Sequence, residues 1–364
     1  MKKVIKMLKE IYKLGELTLT NLYKEQELEK HTLLDLFWEC TLTCNAACKH
    51  CGSSAENKTY EGELTTEEIK KVLKDVADKY DASQIMLNIT GGEPLIRKDL
   101  FEVMKYAKSL GFNWGMTTNG MLMNKEMIEK INDAQMSTIS VSIDGLEDTH
   151  DDFRGVPGSY KLIMKNMQLL KEARFLKVAQ ITTVVNKKNI HQLEELYKVM
   201  VEELEIDSWR VVNIDPIGRA NDNKDLFLDK EDFKYLFNFI KEKRKEKKID
   251  VTYGCSHFTG INYEGDLRRQ YFMCLTGLET ASILYNGDIF VCPNVERRKE
   301  FIQGNVREDN FVDVWENRYE IFRDKNRTKS DKCKNCENWD FCLGDSFHSF
   351  DFDKKEPKLC LKDI

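Results

Sequence analysis

LDLFWECTLTCNAACKHC, residues 34–51, sets a six-residue strand-like run, Leu34–Glu39, just ahead of three cysteines spaced Cys44-x3-Cys48-x2-Cys51. Three thiolates this close let one loop wrap a corner of an iron–sulfur cubane, each sulfur meeting a different iron. Three ligands for four irons leave one iron open, whereas a cluster kept for electron transfer alone normally has four cysteines. A zinc site completed by His50, or plain buried cysteines, is the alternative that the spacing alone leaves standing.

Outward from this stretch the pattern repeats. Further strand candidates are Gln84–Thr90, Asn113–Thr118, Thr138–Ile143, Val178–Val185 and Ser208–Asn213, each short and rich in β-branched or bulky residues. Helix candidates lie between them, among them Thr66–Lys79, with Thr65 or Thr66 as N-cap, and Gln192–Glu203. This alternation predicts an α/β chain with a parallel sheet, open or curled into a barrel. Unusual residues follow the strands in turn: the cysteine loop, Gly91-Gly92-Glu93-Pro94, Thr118-Asn119-Gly120, Asp144-Gly145, Asn186 and Pro216–Arg219. In a parallel barrel the strand C-terminal ends face one common site.

Composition narrows the classes. Hydrophobic residues make up 41 % of 364, enough for a sizeable core, and the net charge of −6 gives no basis for nucleic-acid binding. The one dense basic run, Lys241–Lys248, reads as a solvated helix end, with docking of an acidic partner as the sharper alternative. Val4, Leu8, Ile11 and Tyr12 recur at helical spacing among charges, so the N-terminus is expected to be an amphipathic helix, neither a secretory segment nor a membrane insertion. A cytoplasmic location is expected. Eleven cysteines, an odd count, then suit metal better than disulfides.

The C-terminal cysteines form two groups. One is Cys274-x12-Gly287-x4-Cys292; the other is Cys333-x2-Cys336-x5-Cys342 with the distant Cys360. Standing alone, the second group favours zinc. The pattern changes near residue 249, which predicts a helical extension over 1–33, a barrel over 34–248 and an auxiliary domain over 249–364.

CxxxCxxC after the first strand and Gly91–Pro94 after the second resemble the radical S-adenosylmethionine (SAM) superfamily, across most of residues 34–215. The C-terminal order resembles the SPASM domain, which carries two auxiliary 4Fe-4S clusters. The resemblance implies a partial (β/α)6 TIM-like barrel with a C-terminal cysteine-rich SPASM domain. It further implies that a cluster on Cys44, Cys48 and Cys51 binds SAM through its open iron and cleaves it to a 5′-deoxyadenosyl radical, which abstracts hydrogen from a substrate. Gly91 and Gly92 would let backbone approach the ligand, and Glu93 would meet the methionine amine. Ser142 and Arg154 would hold its carboxylate, and Asn119 and Asp144 would touch ribose or methionine. Cys333, Cys336, Cys342 and Cys360 would ligate the outer auxiliary cluster, and Cys255, Cys274 and Cys292 the inner one. The family motif has a further cysteine where this chain has Ser346, so the inner cluster is expected to have three cysteines, its fourth iron either open or bound by Asp345, His348 or substrate.

Cys40 is left over and reads as a core residue, with hydrogen-atom donation as the sharper alternative. His31, His150 and His191 gain no role, and no general base is identified. SPASM enzymes most often modify peptides or proteins, so a peptide or protein substrate is expected, with a small molecule as the alternative. An external donor of flavodoxin or ferredoxin type is expected to supply electrons. Many members carry an N-terminal leader-binding domain; here the first strand begins at residue 34, so recognition is expected from a separate protein or from the barrel and SPASM surfaces.

Overall fold

A computed structural model describes the backbone of residues 2–362 and 364, and their side chains except at 2–10 and 12. The helix foreseen at the N-terminus is present as α1, Lys2–Lys30. Val4, Leu8 and Tyr12, three of the four side chains cited for it, lie outside the described residues.

All six expected strands form: β1 (Asp35–Glu39), β2 (Met86–Thr90), β3 (Asn113–Thr118), β4 (Thr138–Ser142), β5 (Val178–Val185) and β6 (Ser208–Asn213). They pair in sequence order and in parallel, so every C-terminal end emerges on one rim. Helices fill the crossovers. α2 (Thr66–Lys79) starts at Thr65, whose hydroxyl accepts from the Glu68 N–H while the Glu68 carboxylate returns to the Thr65 N–H. Its buried residues Ile69, Val72, Leu73 and Val76 follow the helical period and face the sheet. The expected Gln192–Glu203 helix is split. An α-helix spans Leu193–Lys198, and the stretch that follows, Val199–Glu203, widens to a π-helix.

The sheet does not stop where the sequence pattern changes. β7 (Asp250–Tyr253) joins β6 in parallel, and β8 (Thr280–Ile283) pairs in parallel with β1 at the other side. β9 (Asp288–Phe290) and β10 (Gly304–Asn305) extend that side antiparallel, giving ten strands in an order that does not close on itself. Residues after 249 thus frame both edges of the six-strand unit and reach the rim from two directions. Trp38, Trp114 and Trp209 are fully buried in the main core; Trp114 donates to the Ala134 carbonyl and Trp209 to the Thr183 hydroxyl. Cys40 lies in the same core with no exposed surface, and burial pushes its thiol far up, which suits a packing residue. No helix among the described residues is long and apolar enough to cross a membrane.

Candidate active site and auxiliary cysteine sites

The loop after β1 is held from three sides. From the β2 end, Gly92 and Glu93 donate their N–H groups to the Thr41 and Thr43 carbonyls. From the helix Glu147–Arg154, the Arg154 and Phe153 carbonyls accept from the Ala47 and Lys49 N–H groups. From the segment after β6, Arg219 donates through Nε to the Cys48 carbonyl and through Nη1 to the Ala55 carbonyl, and Asn223 donates to the Lys49 carbonyl. Six residues of this irregular segment, Thr41, Thr43, Ala47, Cys48, Lys49 and Ala55, thereby acquire fixed partners, as a buried irregular backbone requires.

The two glycines of the β2 loop serve this docking. A Cβ at Gly91 would come within 2.2 Å of the Thr41 carbonyl oxygen, and one at Gly92 within 2.3 Å of the Thr43 oxygen. The close approach that they permit is between the two loops. Gly92→Ala will therefore displace the cysteine loop and cost on the order of 2 kcal/mol or more. Iron content per chain and the denaturation midpoint after reconstitution check this; a variant with unchanged values would contradict it.

Glu93 is fully buried, and its carboxylate bridges strand ends. Oε1 accepts from the Thr118 hydroxyl and the Leu95 N–H, and Oε2 from the Asn119 N–H. Burial raises its pKa while these donors oppose the rise. Asn119 reaches the cysteine loop as well, its amide donating to Asn45 Oδ1 at 2.7 Å.

Asp144 and Arg154 form a buried pair. Arg154 directs Nε and Nη2 onto Asp144 Oδ2, both at 2.5 Å, while Asp144 Oδ1 accepts from the Val184 N–H. The remaining arm of the guanidinium, Nη1, stands 3.4 Å from Cys48 Sγ. The resemblance assigns Arg154 and Ser142 together to the SAM carboxylate; within the chain the Arg154 side chain contacts Asp144 and Cys48. Ser142 is buried at the end of β4. His150 also joins this group: its Nδ1 accepts from the Asp144 N–H, and burial, followed by Arg154, pulls its pKa down to about 4. Its spacing of four residues from Arg154 on one helix was the available signal.

The fit to a cluster rests on the donor set. Cys44 and Cys48 are buried beside Ala46 and Ala55, with Cys51, Met121 and Val156 packed against them. Burial pushes the Cys44 thiol up to about 11 and raises Cys48, which Arg154 opposes. Three thiols in an apolar cradle with an arginine at one sulfur suit an iron–sulfur cluster, which takes thiolates and gains from nearby positive charge. One zinc would draw its sulfurs to about 3.8 Å apart. Among the described residues no three His, Cys, Asp or Glu side chains are arranged around a single ion. His50, the candidate fourth zinc ligand, stacks on Phe153 with centroids 4.5 Å apart, and burial lowers its pKa to about 3.

Two further cysteine sites stand in the C-terminal region. Cys333, Cys336, Cys342 and Cys360 line one cavity of about 210 Å³ together with Phe258, Trp339 and Leu361. Elsewhere, the thiols of Cys255 and Cys274 lie close enough to raise that of Cys292, which burial chiefly pushes up to about 12. Beside the second group is a buried polar network that sequence reasoning missed. His257 places Nδ1 2.8 Å from Asp345 Oδ2 and Nε2 3.6 Å from Asp215 Oδ1, and His348 Nε2 is 3.2 Å from Asp215 Oδ2. Burial disfavours charge on His257, yet Asp345 and Asp215 outweigh it and raise its pKa to about 10. The Ser346 hydroxyl donates to the Ser256 carbonyl. Asp345 and His348, the fourth-ligand candidates from the sequence, are thus engaged by this network. Nothing in the spacing linked residues 215, 257 and 345, which only the fold brings together.

The radical SAM superfamily model matches residues 38–200, and an iron–sulfur cluster-binding SPASM model matches residues 274–337. An AdoMet-dependent heme synthase of Methanosarcina barkeri is 31 % identical, over 84 % of this chain and 89 % of that protein. The chain belongs to the radical SAM superfamily. This radical SAM chain is also 30 % identical to the mycofactocin maturase of Mycolicibacterium smegmatis, over 85 % of this chain and 77 % of the relative. Among solved structures, Streptococcus suis SuiB bound to S-adenosylmethionine superposes with a TM-score of 0.72 at 21 % identity, covering 100 % of this chain and 88 % of that one. The anSMEcpe enzyme bound to AdoMet gives 0.68 at 19 %, covering 87 % and 89 %. These two share the fold. A radical SAM enzyme with a SPASM domain uses 4Fe-4S clusters and SAM as cofactors, so the expected partial barrel and cofactors hold.

Proposed function

We propose that this radical SAM enzyme abstracts hydrogen from a peptide or protein and so modifies it by crosslinking, oxidation or epimerisation. Cys44, Cys48 and Cys51 hold the SAM-binding cluster. The observation that carries this is the three-sided clamp on the cysteine loop, which holds it at the rim where parallel order brings all six strand ends, with Arg154 beside Cys48. A cluster held by Cys44, Cys48 and Cys51 would supply the one-electron reduction of SAM that yields methionine and the hydrogen-abstracting 5′-deoxyadenosyl group. The chain's own residues do the positioning. Arg154 balances thiolate charge, Asp144 orients Arg154, and Glu93 with Asn119 fixes the β2 and β3 ends around the ligand. Ser142 lines the same rim, with a hydroxyl available to a SAM carboxylate. Cys333, Cys336, Cys342 and Cys360 hold an outer auxiliary cluster, and Cys255, Cys274 and Cys292 an inner one. An external donor of flavodoxin or ferredoxin type supplies electrons.

Support for a peptide comes from the likeness to the mycofactocin maturase and to SuiB, one of whose structures holds the precursor peptide SuiA. A second reading, a small-molecule substrate, is favoured by the heme synthase likeness. Turnover distinguishes them. The enzyme is incubated anaerobically with SAM, reductant and either short peptides encoded beside its gene or an iron porphyrin. A peptide mass change with matching 5′-deoxyadenosine supports the first reading; turnover of the porphyrin alone transfers the assignment to the second.

A further inference from the structure

Helix α1 has an outward face that its own chain leaves uncovered. Its inner side is largely polar: Lys24 and Glu27 are buried beside Leu17, Lys13 donates to the Asn262 carbonyl, and Tyr23 donates to Glu279. Ile11, Leu14, Leu19 and Leu22 point away, each 57–67 % exposed. With the exposed Gly15 and Thr18 they span an arc of about 140° at 100° per residue. A surface helix ordinarily turns its apolar face inward. Four such side chains expose roughly a few hundred Å², the size at which an apolar patch marks an interaction surface.

The order of these residues names the occupant. Positions 11, 14, 15, 18, 19 and 22 read identically in reverse about a centre between 16 and 17, which also lies at the middle of the 29-residue helix. A two-fold interface requires that residue i meet j while j meets i. Antiparallel pairing of two copies about that centre sets Ile11 against Leu22, Leu14 against Leu19, and Gly15 against Thr18. The small pair falls at the axis, where close backbone approach needs it. Gly15 is unfavourable in mid-helix relative to Ala. A Cβ there would meet nothing within 4 Å, so the chain's own packing does not call for glycine. Charge agrees with the direction: in sequence Lys2, Lys3, Lys6 and Lys9 against Glu10 precede Gly15, while the exposed Glu25 and Glu29 against Lys30 follow it. Antiparallel copies place each basic half beside the partner's acidic half. Full overlap runs about 44 Å.

We propose that α1 is a homodimerisation helix, pairing antiparallel with α1 of a second copy through Ile11, Leu14, Gly15, Thr18, Leu19 and Leu22. The test is sedimentation velocity on the full-length, reconstituted protein across micromolar concentrations, with the wild type expected at twice the 42.6 kDa chain mass. Leu14→Glu should weaken association at least about tenfold, with the circular dichroism and melting temperature of the chain retained because the site is exposed. Leu14→Glu combined with Leu19→Lys should restore the dimer, since each glutamate then faces a lysine across the axis. Wild type that stays monomeric, or a dimer indifferent to Leu14→Glu, overturns the proposal. So does a monomer that binds phosphatidylserine vesicles through this face, which would assign it to lipid.

Discussion

Cys48→Ala protein, purified without oxygen and reconstituted with iron and sulfide, will form no detectable 5′-deoxyadenosine from SAM, while the absorbance and EPR signals of the C-terminal clusters persist. Cys48 is buried at the centre of the clamp, its sulfur beside Arg154 and its carbonyl tied to Arg219. Removing that sulfur leaves two thiols where three are needed, and a cubane on two protein ligands is not retained in a catalytic geometry. The C-terminal cysteines line separate surroundings, so their loading does not depend on this loop. Iron content falling by about one cluster's share, with cleavage abolished, is the expected pair of readings. Full cleavage activity would contradict the site assignment. Loss of every cluster would contradict the independence of the two regions.

Arg154→Ala will destabilise the chain by about 3–5 kcal/mol, the usual consequence of stranding one partner of a buried ion pair. Asp144 has no exposed surface and spends Oδ2 on this guanidinium; without it, the Val184 N–H is what remains to offset a buried carboxylate. Arg154→Lys should recover less than half of the loss, because one ammonium cannot reach Asp144 Oδ2 twice and Cys48 once. In the double variant with Asp144→Ala the two costs should fall well short of their sum. Urea denaturation of the apoprotein measures all three. A cost under about 1 kcal/mol for Arg154→Ala would show that water reaches the pair.

Much of this arrangement was legible because local sequence decides it. β3, β5 and β6 begin and end where alternation and β-branched residues placed them, and the Thr65 capping box fixed the start of α2. The six loops at one rim followed from parallel order alone. What local sequence could not show was which partner a side chain selects across the fold. Glu93 reads in sequence as a ligand for an amine; that its carboxylate also accepts from Thr118, Asn119 and Leu95 needed the fold. Gly91 and Gly92 read in sequence as places where backbone approaches a ligand; the fold adds that they also sit against Thr41–Thr43 backbone. Arg219 lay in a quoted stretch without a role, since its target carbonyl is 171 positions away. The histidine–aspartate network joins residues 215, 257, 345 and 348 across the β6 end and the C-terminal region, a separation that leaves no periodic trace. The basic run at Lys241–Lys248 came out bland: Lys241, Lys243, Arg244, Lys245 and Lys248 all pair with nearby carboxylates.

The most direct test of the central claim is formation of 5′-deoxyadenosine from SAM by the anaerobic, cluster-loaded enzyme with a strong reductant, using deuterated candidate substrates. The account predicts 5′-deoxyadenosine that depends on Cys48 and carries deuterium from the attacked carbon. Full iron and sulfide content with no 5′-deoxyadenosine under any substrate would contradict it, and would leave a clustered protein that carries electrons without cleaving SAM.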